Sequence, residues 1–208
     1  MLARRGLLGW IGAVRILIAP DKFKGSLTAP AVAEAIVAGL REGGLDCEVD
    51  VCPIADGGEG TTLAVVNATN GQWVEVDSVD ALGRPLTTRY GLVNHAGGEI
   101  QAVMEMSAAS GLALVLDQPL RPLRASTYGT GVMLRDTLQR GADRVIIGIG
   151  GSATNDGGMG MAQALGYRFL DAAGDEVAAL PERFEEVAKI KPPPAMLFGN
   201  GQVMVACD

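Results

Sequence analysis

The stretch Arg144–Gly166, RVIIGIGGSATNDGGMGMAQALG, limits the possible folds more than any other part of the chain. It begins as an apolar, β-branched run from Val145 to Ile149, the kind that forms a strand buried on both faces. A polar, glycine-rich loop follows from Gly150 to Gly158. Small apolar residues then resume as a predicted helix over Met159–Leu165, stopped by Gly166. Strand, glycine loop and helix in that order aim unpaired backbone N–H groups at an anion. Glycines let the backbone approach a phosphate with no Cβ in the way. Ser152 and Thr154 add hydroxyl donors, and Asp156 adds a carboxylate able to hold a cation beside the phosphates. A plain turn between packed elements needs only one or two glycines, so the loop reads as a ligand loop.

Two named motifs can be tested against it. The sequence contains no G-x-x-x-x-G-K-[ST], which excludes a P-loop nucleotide site. Gly148-x-Gly150-x-x-Ala153 does match the dinucleotide fingerprint, with Asp171 downstream for a ribose contact. In a Rossmann unit, however, the helix starts inside the fingerprint, whereas Ser152 to Gly158 intervene here. Asp156 would also repel a pyrophosphate unless a metal stood between them. An NAD site is therefore an alternative reading only.

Composition sets the outer limits. A chain of 208 residues makes one large domain or two small ones. With 48% apolar but only 4% aromatic residues, its core must come from Ala, Val, Ile and Leu, the usual filling of α/β layers. A net charge of −7 without any basic block argues against nucleic acid as a partner. No apolar run is long enough to span a bilayer, so no membrane role is expected. Cys47, Cys52 and Cys207 form no metal-type C-x-x-C, and no convincing export signal precedes them. The expected setting is a reducing cytoplasm, with Cys47 and Cys52 buried in a strand. The single histidine, His95, falls in the hairpin-like break Asn94–Gly98. That excludes a multi-histidine metal site and suggests no Ser-His-Asp triad.

In chain order, residues 1–13 show neither capping nor amphipathic logic and are expected to lie outside the fold. Arg15 to Ala19 is a predicted buried strand, and Pro20 to Ser26 is the loop leaving it. Thr28 is a fair N-cap, with Pro30 in the first turn and Val32, Ile36 and Leu40 as a helical stripe that ends at Gly43-Gly44. A strand over Leu45–Ile54 completes a βαβ unit, whose ligands collect at carboxyl ends of strands. Two charged, glycine-bearing loops stand there, Asp21–Ser26 and Asp56–Thr61. Thr62–Thr69 reads as a helix, then Trp73–Val79, Thr88–Val93 and Ile100–Met106 as extended runs. Glu105, flanked by Met104 and Met106, fits an exposed strand position and a placed site group equally well. Ser126–Gly131 is a second glycine-hydroxyl loop, opening a helix that carries Leu134 and Leu138 and closes at Gly141. Tyr167–Leu170 and Gln202–Ala206 are the remaining strands. Because Asp208 ends the chain as a strand ends, the carboxyl edge is expected to be cut.

Five segments in order, IAPDKFKGSLT (18 to 28), ADGGEGT (55 to 61), EMSAASGL (105 to 112), STYGTG (126 to 131) and GIGGSATNDGGMGMAQALG (148 to 166), make the chain resemble the bacterial glycerate kinase family. The resemblance covers residues 14 to 208. It implies two α/β domains, the second inserted into a Rossmann-like first, with the active site between them. Residues 14–58 then belong to the first domain and 59–208 to the inserted one, incomplete at the C-terminus. It also implies ATP-dependent phosphorylation of D-glycerate, with 2-phosphoglycerate as the expected product and Mg²⁺ as cofactor. Family members are longer, and residues 206 to 208 look like the start of a further motif, A-C-D-V-x-N-P. Val132 departs from the family, which commonly has an acidic residue after Gly-Thr-Gly.

Roles follow from that resemblance. Gly150, Gly151, Ser152, Thr154 and Asn155, with Thr130 and Glu105, are expected to bind phosphates and substrate, and Asp156 and Asp208 the Mg²⁺. Lys24 and Ser26 are expected to face the transferred phosphoryl group or the glycerate carboxylate. Asp56 or Glu59 is the expected proton acceptor, unranked against Asp21. The alternatives are an inactive fragment that still binds an anion or nucleotide, a kinase forming 3-phosphoglycerate, and an NAD-binding oxidoreductase.

Overall fold

The computed structural model of the chain describes residues 14–23, 26–194 and 202–207. The extension at 1–13, Lys24 and Asp208 therefore lie outside the described residues. Contacts divide the chain into two compact units, Met1–Ala55 and Asp56–Asp208. The loop Asp56–Thr61 falls wholly within the second unit, whereas the sequence reading divided it after Gly58.

The first unit is the expected βαβ arrangement: β1 (Val14–Ile18), α1 (Ala29–Glu42) and β2 (Cys47–Val51). The two strands pair in parallel, Val14 opposite Cys47 and Ile18 opposite Val51. The predicted helix signals operate: Thr28 Oγ1 accepts from the Ala31 N–H at 3.4 Å, and proline stands in the first turn. β2 is shorter than the expected run over 45–54, and this corrects the reading of the cysteines. Cys52 lies beyond the strand and is exposed, and Cys47 is only partly buried.

The second unit holds β3 (Gln72–Val79), β4 (Pro85–Asn94), β5 (Ile100–Glu105), β6 (Arg144–Gly148) and β9 (Gln202–Ala206) in one sheet of that order. β3–β4 and β4–β5 are antiparallel, while β5–β6 and β6–β9 are parallel. β7 (Arg168–Leu170) and β8 (Lys189–Lys191) form a separate antiparallel pair. The helices are α2 (Thr61–Thr69), α3 (Ser107–Ser110), α4 (Tyr128–Gln139) and α5 (Met159–Ala164). The mixed α/β class expected from the sequence is the class observed.

Alternation along the strands sorts these helices onto faces. Tyr90, Ala102, Met104, Val145 and Ile147 point to one side and pack with Met133 and Leu134 of α4. On the other side, a Cβ at Gly91 would run into Val66 of α2 and stand 3.3 Å from Thr62 Cγ2. Val103 is the register partner of Gly91, so Val103 and, two residues on, Glu105 share the α2 face. One correction concerns Ser126–Gly131: α4 starts at Tyr128, so Gly129, Thr130 and Gly131 are helical rather than loop. The Ser126 hydroxyl accepts from the Tyr128 N–H at 3.2 Å, and the Thr127 carbonyl accepts from the Gly131 N–H at 3.1 Å. Among the described residues, no helix is long and apolar enough to cross a membrane.

Candidate active site

β5, β6 and β9 run parallel, so their carboxyl ends reach one edge of the sheet. The loops that leave β5 and β6 there meet the loop that enters α2. Their backbones touch: Ile149 N–H donates to the Ala206 carbonyl and Gly150 N–H to the Gly57 carbonyl, both at 3.2 Å. A Cβ at Gly150 would sit 2.6 Å from Gly58 Cα, and one at Gly148 would strike the Gly57 carbonyl. These glycines are therefore required by main-chain contact. The sequence reading gave Gly150 to a ligand, whereas its N–H is already bonded within the protein.

Glu105, which the sequence left open between two readings, is 9% exposed. Its Oε1 accepts from the Gly60 N–H at 3.1 Å and the Thr62 N–H at 2.7 Å, and Ser107 Oγ donates to Oε2 at 3.3 Å. A carboxylate here satisfies donors at the first turn of α2 and complements its dipole. It also ties the end of β5 to the loop carrying Asp56 and Glu59.

In the central loop, the Leu112 N–H donates to the Gly151 carbonyl at 2.9 Å and the Ala153 N–H to the Ser110 carbonyl at 2.8 Å. This two-bond bridge pins the segment Gly151–Ala153 to the chain that follows α3. Ser152 and Thr154 share a hydroxyl hydrogen bond of 2.7 Å, and Ser152 Oγ accepts from the Thr154 N–H. Gly151 and Asn155 are exposed. Among the described residues, the N–H groups of Gly151 and Ser152 have no hydrogen-bond partner. The N–H groups of Asn155, Asp156 and Gly157 are likewise without one, and together these are the backbone donors the loop leaves unpaired.

Two predicted residues sit behind that surface. Asp156 is 1% exposed, and both of its oxygens are used inside the protein. Oδ2 accepts from the Thr127 N–H and hydroxyl, both at 2.8 Å, and from the Gly160 N–H at 3.0 Å. Oδ1 accepts from the Gly158 N–H at 3.1 Å. Asp156 thus joins the start of α4 to the start of α5, and the Thr127 hydroxyl completes the knot by accepting from the Met161 N–H at 2.9 Å. Thr130 is fully buried, its hydroxyl 2.7 Å from that of Ser110. Thr127 and Ser110 escaped the sequence reading as partners because each bond joins residues 20 or more positions apart.

The remaining candidates belong to both units. Asp56 Oδ1 accepts from the Gly58 N–H at 3.0 Å, and Glu59 is exposed. Asp21 and Ser26 belong to the first unit, where Asp21 Oδ1 accepts from the Lys22 N–H at 2.6 Å and Ser26 is exposed. Among the described residues, no three acidic, cysteine or histidine side chains converge on a point suited to a metal ion.

The family model described as "Glycerate kinase family" matches residues 16–208. The chain belongs to the glycerate kinase family. It is 44% identical over 196 residues to the glycerate kinase of Bacillus subtilis, covering 94% of this chain and 50% of that protein. To the glycerate 2-kinase of Escherichia coli it is 45% identical over 164 residues, or 79% of this chain and 42% of that one. A crystal structure of a proposed glycerate kinase 2 from Salmonella typhimurium LT2 superposes with a TM-score of 0.78 at 44% identity, covering 95% of this chain and 52% of that chain. The chain thus spans about half the length of the curated relatives it matches. Within the family frame, the fingerprint at Gly148–Ala153 is followed by a helix only at Met159, and its first two glycines serve the packing against Gly57 and Gly58.

Proposed function

We propose that the chain works in ATP-dependent phosphorylation of D-glycerate, with 2-phosphoglycerate as product, in the cytoplasm. The observation that carries this reading is the run of unpartnered N–H groups that begins with Gly151 and Ser152, at the carboxyl end of a parallel strand, in a member of this family. Backbone donors of that kind hold phosphate oxygens without needing to reorganise. Asn155 and the Ser152–Thr154 hydroxyl pair border them. In the transfer, an oxygen of glycerate forms a bond to the γ-phosphorus of ATP as the bond to ADP breaks. The hydroxyl proton passes to a carboxylate, for which Asp56 and Glu59 in the second unit and Asp21 in the first are the candidates. Lys24 and Ser26 are assigned to the transferred phosphoryl group or the substrate carboxylate.

Mg²⁺ enters this reading with ATP, where it would neutralise phosphate charge. Asp156 as it stands does not fit a ligand role, because a metal would have to displace its hydrogen bonds to Thr127, Gly158 and Gly160. We assign Asp156 and Glu105 to positioning the loops. The insertion of the second domain into a Rossmann-like first domain, with the site between them, belongs to the same proposal.

The test is Mg·ATP titration of the 208-residue chain, followed by assay of D-glycerate-dependent ADP formation. Binding without turnover is expected from the chain alone. Turnover is expected once it is joined to the remaining half of the Bacillus subtilis relative. A chain that binds no nucleotide, alone or joined, refutes the reading; NADH binding in its place would favour the oxidoreductase.

A further inference from the structure

The turn Asp80–Arg84, between β3 and β4, lies far in sequence from every loop of the candidate site, yet three of those loops converge on it. Asp80 is 5% exposed, and its Oδ1 accepts from the Leu82 and Arg84 N–H groups at 2.8 and 3.0 Å. Ala81, fully buried, packs with Val115, Ala125 and the Ala153 side chain of the glycine loop. The Ala81 carbonyl accepts from the Ser126 N–H at 2.8 Å, one residue before Thr127, which holds Asp156. Arg84 completes the hub with all three arms of its guanidinium. Nε donates to Asp80 Oδ2, Nη1 to Asp117 Oδ2 at 2.7 Å, and Nη2 to the Leu114 carbonyl at 2.6 Å.

The segment that Arg84 grips, Leu112 to Asp117, is the one whose first residue bonds the Gly151 carbonyl. We propose that Arg84 is a positioning residue for the phosphate loop: its guanidinium clamps the Leu112–Asp117 segment to the Asp80–Arg84 turn and thereby fixes the backbone of Gly151–Ala153. The role rests on the phosphate reading given above. Only a planar fork fits three acceptors lying in different directions; a lysine ammonium offers one compact charge that cannot span them. With the clamp released, the Leu112 side of the bridge loses its main polar anchor while Ser110 keeps its bond to Thr130, and the N–H groups of Gly151 and Ser152 lose their fixed aim.

The experiment compares wild type with Arg84→Lys and Arg84→Gln, and with Asp117→Asn, which releases one arm at an exposed position. Amide hydrogen exchange and Mg·ATP affinity are both measured. For the two Arg84 variants the Leu112 and Ala153 amides should exchange about tenfold faster through local opening, and Mg·ATP affinity should fall about tenfold. Asp117→Asn should give a smaller change of the same kind. Amides in the centre of β5 and β6, such as Val103 and Ile147, should keep wild-type protection. Full rescue by Arg84→Lys overturns the proposal, as does a loss of protection spread evenly over β5 and β6. Unchanged exchange at Leu112 and Ala153, in protein whose wild type binds Mg·ATP, overturns the clamp and leaves the phosphate reading intact. Wild type that binds no Mg·ATP overturns the phosphate reading and this role together.

Discussion

The two units of the chain start from the same device, a parallel pair of strands with loaded loops at the carboxyl ends, and treat it in opposite ways. In the second unit β5 has α4 on one face and α2 on the other, β6 packs on α4, and Val103, Met104 and Val145 are 0%, 0% and 1% exposed. Among the described residues of the first unit, β1 and β2 have one helix for two faces, and Leu17 and Val51 stay 66% and 51% exposed. Parallel strands gain most of their stability from double coverage. The loops follow suit. Those of the second unit are knotted by buried carboxylates, while Asp21 makes a local bond to the next residue. The loops of the second unit are thus fixed by buried ionic hydrogen bonds beneath them.

That contrast breaks most severely at Asp156. Asp156→Ala leaves the N–H groups of Thr127, Gly158 and Gly160 and the hydroxyls of Thr127 and Ser126 without this acceptor, and should cost the second unit about 3–5 kcal/mol. Asp156→Asn keeps the shape and one acceptor and should cost about 2 kcal/mol. Urea unfolding followed by circular dichroism reads both. A loss under 1 kcal/mol for the alanine variant would return Asp156 to the pool of ligand-facing residues. Glu105→Ala comes next. It strips the first turn of α2 of its acceptor and should cost about 2 kcal/mol, with Glu105→Gln recovering roughly half. Faster exchange of the Gly60 and Thr62 amides should accompany the loss.

How much of this was legible beforehand depended on the range of the interactions. The order of strands and helices, the Thr28 cap and the mixed α/β class follow from periodicity and local punctuation, which act over a few residues. Within the glycine loop, the Gly151 N–H has no partner among the described residues, but Gly148 and Gly150 are glycines because another main chain crosses them. Nothing in the sequence says which glycine is set by a neighbouring main chain. Asp156 and Thr130 were singled out as an ionisable and a hydroxyl group in glycine-rich company, and Glu105 as a carboxylate between two methionines at a strand end. Their partners, Thr127, the α2 amides and Ser110, come from elements far along the chain, so burial could not be read. Arg84 carried only the signal of an Asp-x-x-Gly turn, which is commonplace on surfaces.

A third effect is smaller and depends on pH. The Tyr90 hydroxyl, inside the sheet–α4 core, donates to Asp136 Oδ2 at 2.6 Å. Burial first, and then that carboxylate, push the phenol well above its ordinary pKa. The folded protein therefore keeps the proton where the unfolded chain, near pH 10, gives it up. Stability should be full below about pH 10 and decline as pH rises past it. Tyr90→Phe should cost about 1 kcal/mol at neutral pH and flatten the alkaline decline. An alkaline limb that is the same in both proteins would place the titrating group elsewhere.

The smallest effect is expected at Val51, and it tests the contrast between the units most directly when the same substitution is made at Val103. Val103→Thr puts a hydroxyl into a fully buried strand position in the second unit, with the backbone donors and acceptors nearby already paired in the sheet. It should cost about 2 kcal/mol. Val51→Thr makes the same change in β2, where half the side chain meets water and threonine keeps the β-branched shape that strands favour. It should fall within about 0.5 kcal/mol of wild type. Unfolding midpoints of the two variants, measured at several protein concentrations, decide the matter. If Val51→Thr costs as much as Val103→Thr and the cost grows with concentration, a second copy of the chain covers β2 in solution, and the difference between the units lies in what each has to pack against, not in how each is built.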